Sequence, residues 1–189
     1  MRALALDPAT ITGFAFGIFG ERPRSGTIRL PTVDPDDVGH RFSVLEGAVR
    51  DQISGNKAEK LIIEDIYLNP MNKFSPRQDF LLKGYRAAII MAAHKCGLHG
   101  KRDCVWVYPG SWRKTFGTSH VPKEVRDSKK SDAIRKYLKT AAFERCRELG
   151  WDPRNEDESD ALGLWSHGET LFSQGDSNER MPLFAATPL

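Results

Sequence analysis

The first nineteen residues, MRALALDPATITGFAFGIF, constrain this chain more than any other stretch. Ala3-Leu4-Ala5-Leu6 is a short apolar run of the kind that forms a buried strand. It ends on a single acid, Asp7. Pro8-Ala9-Thr10 reads as a turn, and Gly13 to Phe19 as a second strand. A carboxylate at the end of a buried strand is costly unless it is paired or metal-bound. Asp7 is therefore either a turn cap in an ordinary hairpin or one member of an acidic site. The choice depends on which other groups come to meet it.

Further acids stand at matching places. Ser25 to Leu30 reads as a third strand, so the first three strands form an antiparallel meander. Apolar residues at Val38, Phe42, Leu45, Val49 and Ile53 recur at helical spacing, and Gly55-Asn56 closes that helix. Lys60-Leu61-Ile62-Ile63-Glu64 then repeats the first strand's logic, ending on Glu64 and Asp65. A strand after a helix suggests a parallel crossover, which sets this strand beside the first. The carboxyl ends of such strands are where ligands bind in open α/β sheets, although Glu64 alone is equally a solvent-facing strand end. The last helix opens with Asn155-Glu156-Asp157-Glu158. Asn155 is a good cap, and Glu158 completes a possible capping box. An acidic first turn also suits the helix dipole. Asp157 and Asp160 share one helical face, and Asp160 lies beyond the cap, bordering Ala161, Leu162, Leu164 and Trp165.

The middle of the chain supplies cations and aromatics. Tyr67 to Pro76 is a loop carrying Tyr67, Lys73 and Phe74, with Arg77 following. Such a loop suits base stacking or the covering of a core edge. Arg77 to Cys96 reads as a long helix, apolar on all sides, so burial is expected against the sheet and against another subunit. His94, Cys96, His99 and Cys104 match no standard zinc spacing. Cys104 to Tyr108 is a further strand. Ser111 to Gly117 is a short helix with Arg113 and Lys114. Thr118 to Asp127 is a polar loop with Lys123 and Arg126. A helix from about Lys129 to Leu149 carries Lys129, Lys130, Arg135, Lys136 and Lys139 on one face.

Charge is unevenly distributed. Residues 101–150 hold 13 Lys/Arg against 6 Asp/Glu, whereas residues 151–189 hold 2 against 8. A basic block followed by an acidic one suggests a polyanion partner and a separate acid-lined site; the alternative is a solvated lysine-rich helix face. Three irregularly spaced cysteines read as free thiols, no stretch is long enough to span a bilayer, and the N-terminus lacks a signal-peptide pattern. A cytoplasmic location is expected. The chain reads as one α/β domain over residues 1–173, with a loosely ordered tail over 174–189.

If Asp7, Glu64, Asp157 and Asp160 converge on one sheet edge, they repel strongly unless cations are present. Mg²⁺, with Mn²⁺ as a substitute, accepts carboxylates, waters and phosphate oxygens. Two such ions about 3.5–4 Å apart would activate a water and stabilise the leaving oxygen of a phosphodiester, with Asp7 bridging. The basic block over residues 113–139 would hold flanking phosphates.

The segments LALDPATITGFAFG, LIIEDIY, FLLKGYRAAIIMAA and DESDALGLW, in this order and spacing, resemble the RuvC-type Holliday junction resolvases of the ribonuclease H-like superfamily. PGSWRKTFG is similar to segments in phage-type members. The resemblance runs through most of residues 1–170. It implies a ribonuclease H-like fold: a mixed central sheet, antiparallel in its first three strands, flanked by helices. It further implies a homodimer that cuts two strands of a four-way DNA junction by Mg²⁺-dependent hydrolysis, with two ions per site. It carries catalysis and metal binding onto Asp7, Glu64, Asp157 and Asp160, and a junction-contacting aromatic onto Tyr67. The helix around Gly84 would be the dimer surface. Lys114, Lys123 and Lys130 are candidates to support the scissile phosphate; their spacing departs from bacterial RuvC, so the role is not assigned to one. Lys73, Arg77, Arg113 and Lys129 complete the expected DNA contacts. Two alternatives share these features: a non-cleaving junction-binding protein, and a nuclease acting on another substrate such as an RNA–DNA hybrid. Met181-Pro182-Leu183-Phe184 resembles a sliding-clamp docking motif without its leading glutamine; the alternative is a tail packing on its own core.

Overall fold

In the computed structural model, residues 1–32, 37–65, 75–127 and 131–173 are described. Tyr67, Lys73, Lys129, Lys130 and the Met181–Phe184 motif lie outside them. Five strands form one sheet: β1 (Arg2–Asp7), β2 (Ile11–Ile18), β3 (Arg24–Arg29), β4 (Lys60–Glu64) and β5 (Cys104–Val107), in the order β3-β2-β1-β4-β5. β1, β2 and β3 pair antiparallel, as the meander requires, and β4 and β5 add on parallel. α1 (Val38–Asn56) links β3 to β4, which returns to the sheet beside β1.

Both faces of the sheet are covered, which explains the unbroken apolar runs. Leu4, Leu6, Leu61 and Ile63 share one core with Leu45, Val49 and Ile53 of α1 and with Tyr85, Ile89 and Ala92 of α2 (Pro76–Lys95). Ala3, Ala5, Ala15 and Ile62 point the other way. They pack with Trp112 of α4 (Pro109–Thr115), Ala142 of α6 (Ser131–Glu148) and Ala161, Leu162, Leu164 and Trp165 of α7 (Glu156–Ser173). Three alanines on this face let α7 lie close to β1 and β2, and Trp165 Nε1 donates to the Ala3 carbonyl at 3.2 Å. Among the described residues, no helix is long and apolar enough to cross a membrane.

Several sequence expectations need correction. The expected loop over Thr118–Asp127 contains α5 (Lys123–Asp127), and the segment before β5 contains α3 (Gly100–Asp103). Each is about one turn long, too short to display an apolar period. Within the chain, α2 does not pack chiefly on the sheet as expected. It lies chiefly against α1, and its outer side leaves Phe80, Ile90 and Met91 about half exposed. Gly84 is on the inner side: a Cβ there would come within 2.0 Å of the Phe42 ring of α1. Gly84 itself therefore serves the contact between two helices of one chain. α1 ends in a left-handed residue, but that residue is Lys57 (φ 53°) and not the neighbouring glycine. The cysteines are free thiols, as expected.

Candidate active site

The four acids reach one edge of the sheet by three separate routes. Parallel pairing sets Leu6 of β1 against Ile63 of β4, so the next residues along, Asp7 and Glu64, emerge side by side. Across β1 and β2, Asp7 is paired with Gly13. A Cβ on Gly13 would fall 2.0 Å from the carbonyl oxygen of Asp157. The missing side chain thus admits the first turn of α7 against the strand, directly opposite Asp7. Asn155 caps that turn by accepting from the Glu158 N–H at 3.0 Å. Glu158 does not close the expected box on Asn155's own N–H. Its buried carboxylate accepts instead from the Arg154 N–H (3.2 Å), Arg154 Nε (2.9 Å) and the Ser25 hydroxyl (2.9 Å), tying α7 to β3.

Burial and mutual repulsion dominate the electrostatics. The Asp7 carboxyl is pushed up to about 7, by burial first and then by Asp160. Glu64 is held well above the usual range by burial and by Asp7, against a hydrogen bond that Trp112 Nε1 donates to its Oε2 at 2.7 Å. Asp160 is also raised by burial, although Arg113 and Lys139 oppose it. Asp65, the second acid after β4, leaves the cluster: it pairs with Arg86, whose guanidinium stacks 4.1 Å from the Trp106 ring centre.

Two cations enter the acid cluster. Arg113 was expected to face DNA, but its side chain is turned inward and only 13% exposed. Its Nη2 donates to Asp160 Oδ1 at 3.3 Å, its Nη1 to the Leu138 carbonyl at 3.4 Å, and it stacks 4.2 Å from the Trp112 ring centre. Lys139 Nζ lies 3.2 Å from Asp157 Oδ1 and 3.5 Å from Glu156 Oε2. Burial pulls the Lys139 ammonium down, but Asp160, Asp157 and Glu156 more than offset this and hold its pKa above the ordinary value. Trp112 and Lys139 are the site residues that sequence reasoning missed. Trp112 carried no polar signal, and Lys139 read as one of five cations on a helix face. The expected contacts Arg77, Lys114 and Lys123 are exposed side chains.

Among the described residues, no three Asp, Glu, His or Cys side chains are drawn together tightly enough to grip a metal ion by themselves. The donor set still fits a hard divalent cation. It consists of carboxylate oxygens gathered at one strand end, whose proton affinity is raised by burial first and by neighbouring carboxylates second. Mg²⁺ needs only one or two protein carboxylates, the rest of its shell being water and phosphate oxygens.

No protein-family model matches the chain, and no curated protein matches it. Solved structures do. Thermus thermophilus RuvC superposes with a TM-score of 0.64 at 16% identity, over 93% of this chain and 97% of that one. T. thermophilus RuvC in complex with a Holliday junction substrate gives 0.65 at 14% identity, over 93% and 96%. The yeast mitochondrial Holliday junction resolvase Ydc2 gives 0.51 at 12% identity, over 92% and 80%. The chain has the RuvC-type, ribonuclease H-like fold that its motifs led us to expect.

Proposed function

We propose that this chain is a divalent-metal-dependent endonuclease that resolves branched DNA, the four-way junction above all, by hydrolysing paired phosphodiesters. The observation that carries the proposal is the meeting of Asp7, Glu64 and the first turn of α7 at one sheet edge. It is supported by a fold that covers nearly the full length of RuvC. Fold alone does not choose a chemistry, but an acidic cluster at strand ends beside a basic block narrows it to a polyanion cut with metal help.

In this reading Asp7, Glu64, Asp157 and Asp160 would hold two Mg²⁺ ions, or Mn²⁺ in their place, whose chemistry when bound would be to activate a water and to stabilise the leaving oxygen. Trp112 orients Glu64 through its indole N–H, and Arg113 fixes Asp160. Lys114, Lys123 and Arg77 remain for the phosphates of the DNA arms. A homodimer would pair two such sites on one junction, and the half-exposed Phe80, Ile90 and Met91 on α2 offer it an apolar surface.

The direct test is cleavage of a labelled four-way junction beside matched linear duplex, hybrid and flap, with Mg²⁺ and with EDTA. Paired, Mg²⁺-dependent nicks across the junction are expected. Binding without cutting would favour an architectural protein, and cutting of the hybrid alone would discard the junction assignment. Trp112→Phe keeps an aromatic side chain but removes the indole N–H. It should lower kcat about 10–100-fold, as loss of an orienting partner typically does. Because that N–H lowers the Glu64 pKa, the acid limb of the pH–rate profile should move to higher pH. A fall in activity with an unmoved profile would reduce Trp112 to packing.

A further inference from the structure

α6 sends Arg135 and Lys136 outward, as a phosphate-binding face should, but it turns Lys139 inward. The Lys139 side chain is 17% exposed, and its ammonium sits between Asp157 (3.2 Å) and Glu156 (3.5 Å). A lysine reserved for DNA gains nothing from giving up its hydration in this way. The position suits another task. Asp157 and Glu156 open α7, and Arg113 approaches the cluster through Asp160, so the acids of α7 have their own protein cations.

We infer that Lys139 is a tethered counter-ion, which holds the Asp157 side of the acid cluster in the metal-free protein and is displaced from Asp157 when a divalent ion binds there. This rests on the divalent-metal reading above. An ammonium and a divalent ion competing for one carboxylate repel each other, and the mobile member is the one on a four-carbon stem. Glu156, itself half exposed, lies within reach and gives the displaced ammonium a second partner at the rim. The lysine thus makes ion entry an exchange of cations. Without it, Asp157 would wait unneutralised for the ion.

Calorimetric titration of DNA-free protein with Mn²⁺ tests this. Lys139→Met should bind Mn²⁺ about tenfold more tightly than wild type, because a competing charge is gone. Its metal-free melting temperature should fall and recover at saturating Mn²⁺, while Lys139→Arg stays close to wild type. A folded Lys139→Met with unchanged or weaker Mn²⁺ affinity overturns the inference. A second readout needs no variant: amine-reactive labelling of Lys139 in wild type, followed by mass spectrometry, should rise several-fold on adding Mg²⁺. Labelling that stays level or falls overturns the inference even if Lys139→Met does not fold. Wild type that binds no Mn²⁺ at all would overturn the metal reading as well, a result distinct from normal binding that ignores Lys139.

Discussion

Asp7→Asn should abolish junction cleavage, by roughly a thousandfold or more, while leaving junction binding within about twofold, as expected when one ligand of a two-metal site is lost. The substitution keeps the size and the β1 register of the side chain, so the exposed cations proposed to meet DNA are undisturbed. It removes the carboxylate that faces Glu64 on one side and α7 on the other. Stability should move in the opposite direction. In the folded chain the Asp7 carboxyl keeps its proton up to about 7, against an ordinary value of 3.8. Between those values the folded state binds more protons than the unfolded state, so raising the pH favours unfolding. The stability associated with this group is complete below about pH 4 and is lost as pH climbs to about 7. Asparagine stays neutral throughout. Metal-free Asp7→Asn should therefore melt higher than wild type above pH 7, by roughly 5 °C for a domain of this size, with the gap closing near pH 4. Melting curves across pH in EDTA, beside gel-shift and cleavage assays, check all three statements. Loss of folding and binding together would return Asp7 to the role of a turn cap.

Gly13→Ala is expected to be the most damaging added methyl group among the described glycines. The added carbon would meet the Asp157 carbonyl oxygen at 2.0 Å, its carbonyl carbon at 2.7 Å and the Ala161 side chain at 3.4 Å. Two of these are backbone atoms, which cannot rotate away. Relief requires lifting the first turn of α7 off β2. That would break the tie between Glu158 and Ser25 and carry Asp157 and Asp160 away from Asp7. Overpacking of this kind should cost about 2–3 kcal/mol and remove most of the cleavage activity even in the folded fraction. Gly84→Ala is the informative control. Its added carbon also comes within 2.0 Å of a neighbour, but that neighbour is the far end of the Phe42 ring, which can swing. It should lower the melting temperature less and leave the acidic site intact. Cleavage measured below both melting temperatures separates the two effects; an active Gly13→Ala would show that α7 is placed by other contacts.

Much of the fold was legible before any coordinates. The strand-ending acids Asp7 and Glu64, the helix-spaced row from Val38 to Ile53 and the cap at Asn155 are local patterns, and each local pattern names its element. The parallel crossover followed from handedness and element order, and with it the neighbouring ends of β1 and β4. The short turns α3 and α5 were illegible because one turn has no period. The direction of Gly84 was illegible because a run with no polar face does not say which side will meet a partner.

The candidate site divides along the same line. The sequence by itself determined which acids exist, which elements end on them, and that a basic block precedes an acidic one, because these are properties of neighbours along the chain. Only the tertiary structure decided which cations those acids meet. Arg113 and Lys139 looked like solvent-facing members of one basic block. Their fates depend on distances across elements: α6 packing on α7 brings Lys139 to Asp157, and α4 packing on α7 brings Arg113 to Asp160. Gly13 reads as a strand residue with no side chain until α7 fills the space a methyl group would occupy. Coulomb energy and steric overlap are set by separation in space, and no spacing along a chain fixes that separation until the helices have packed.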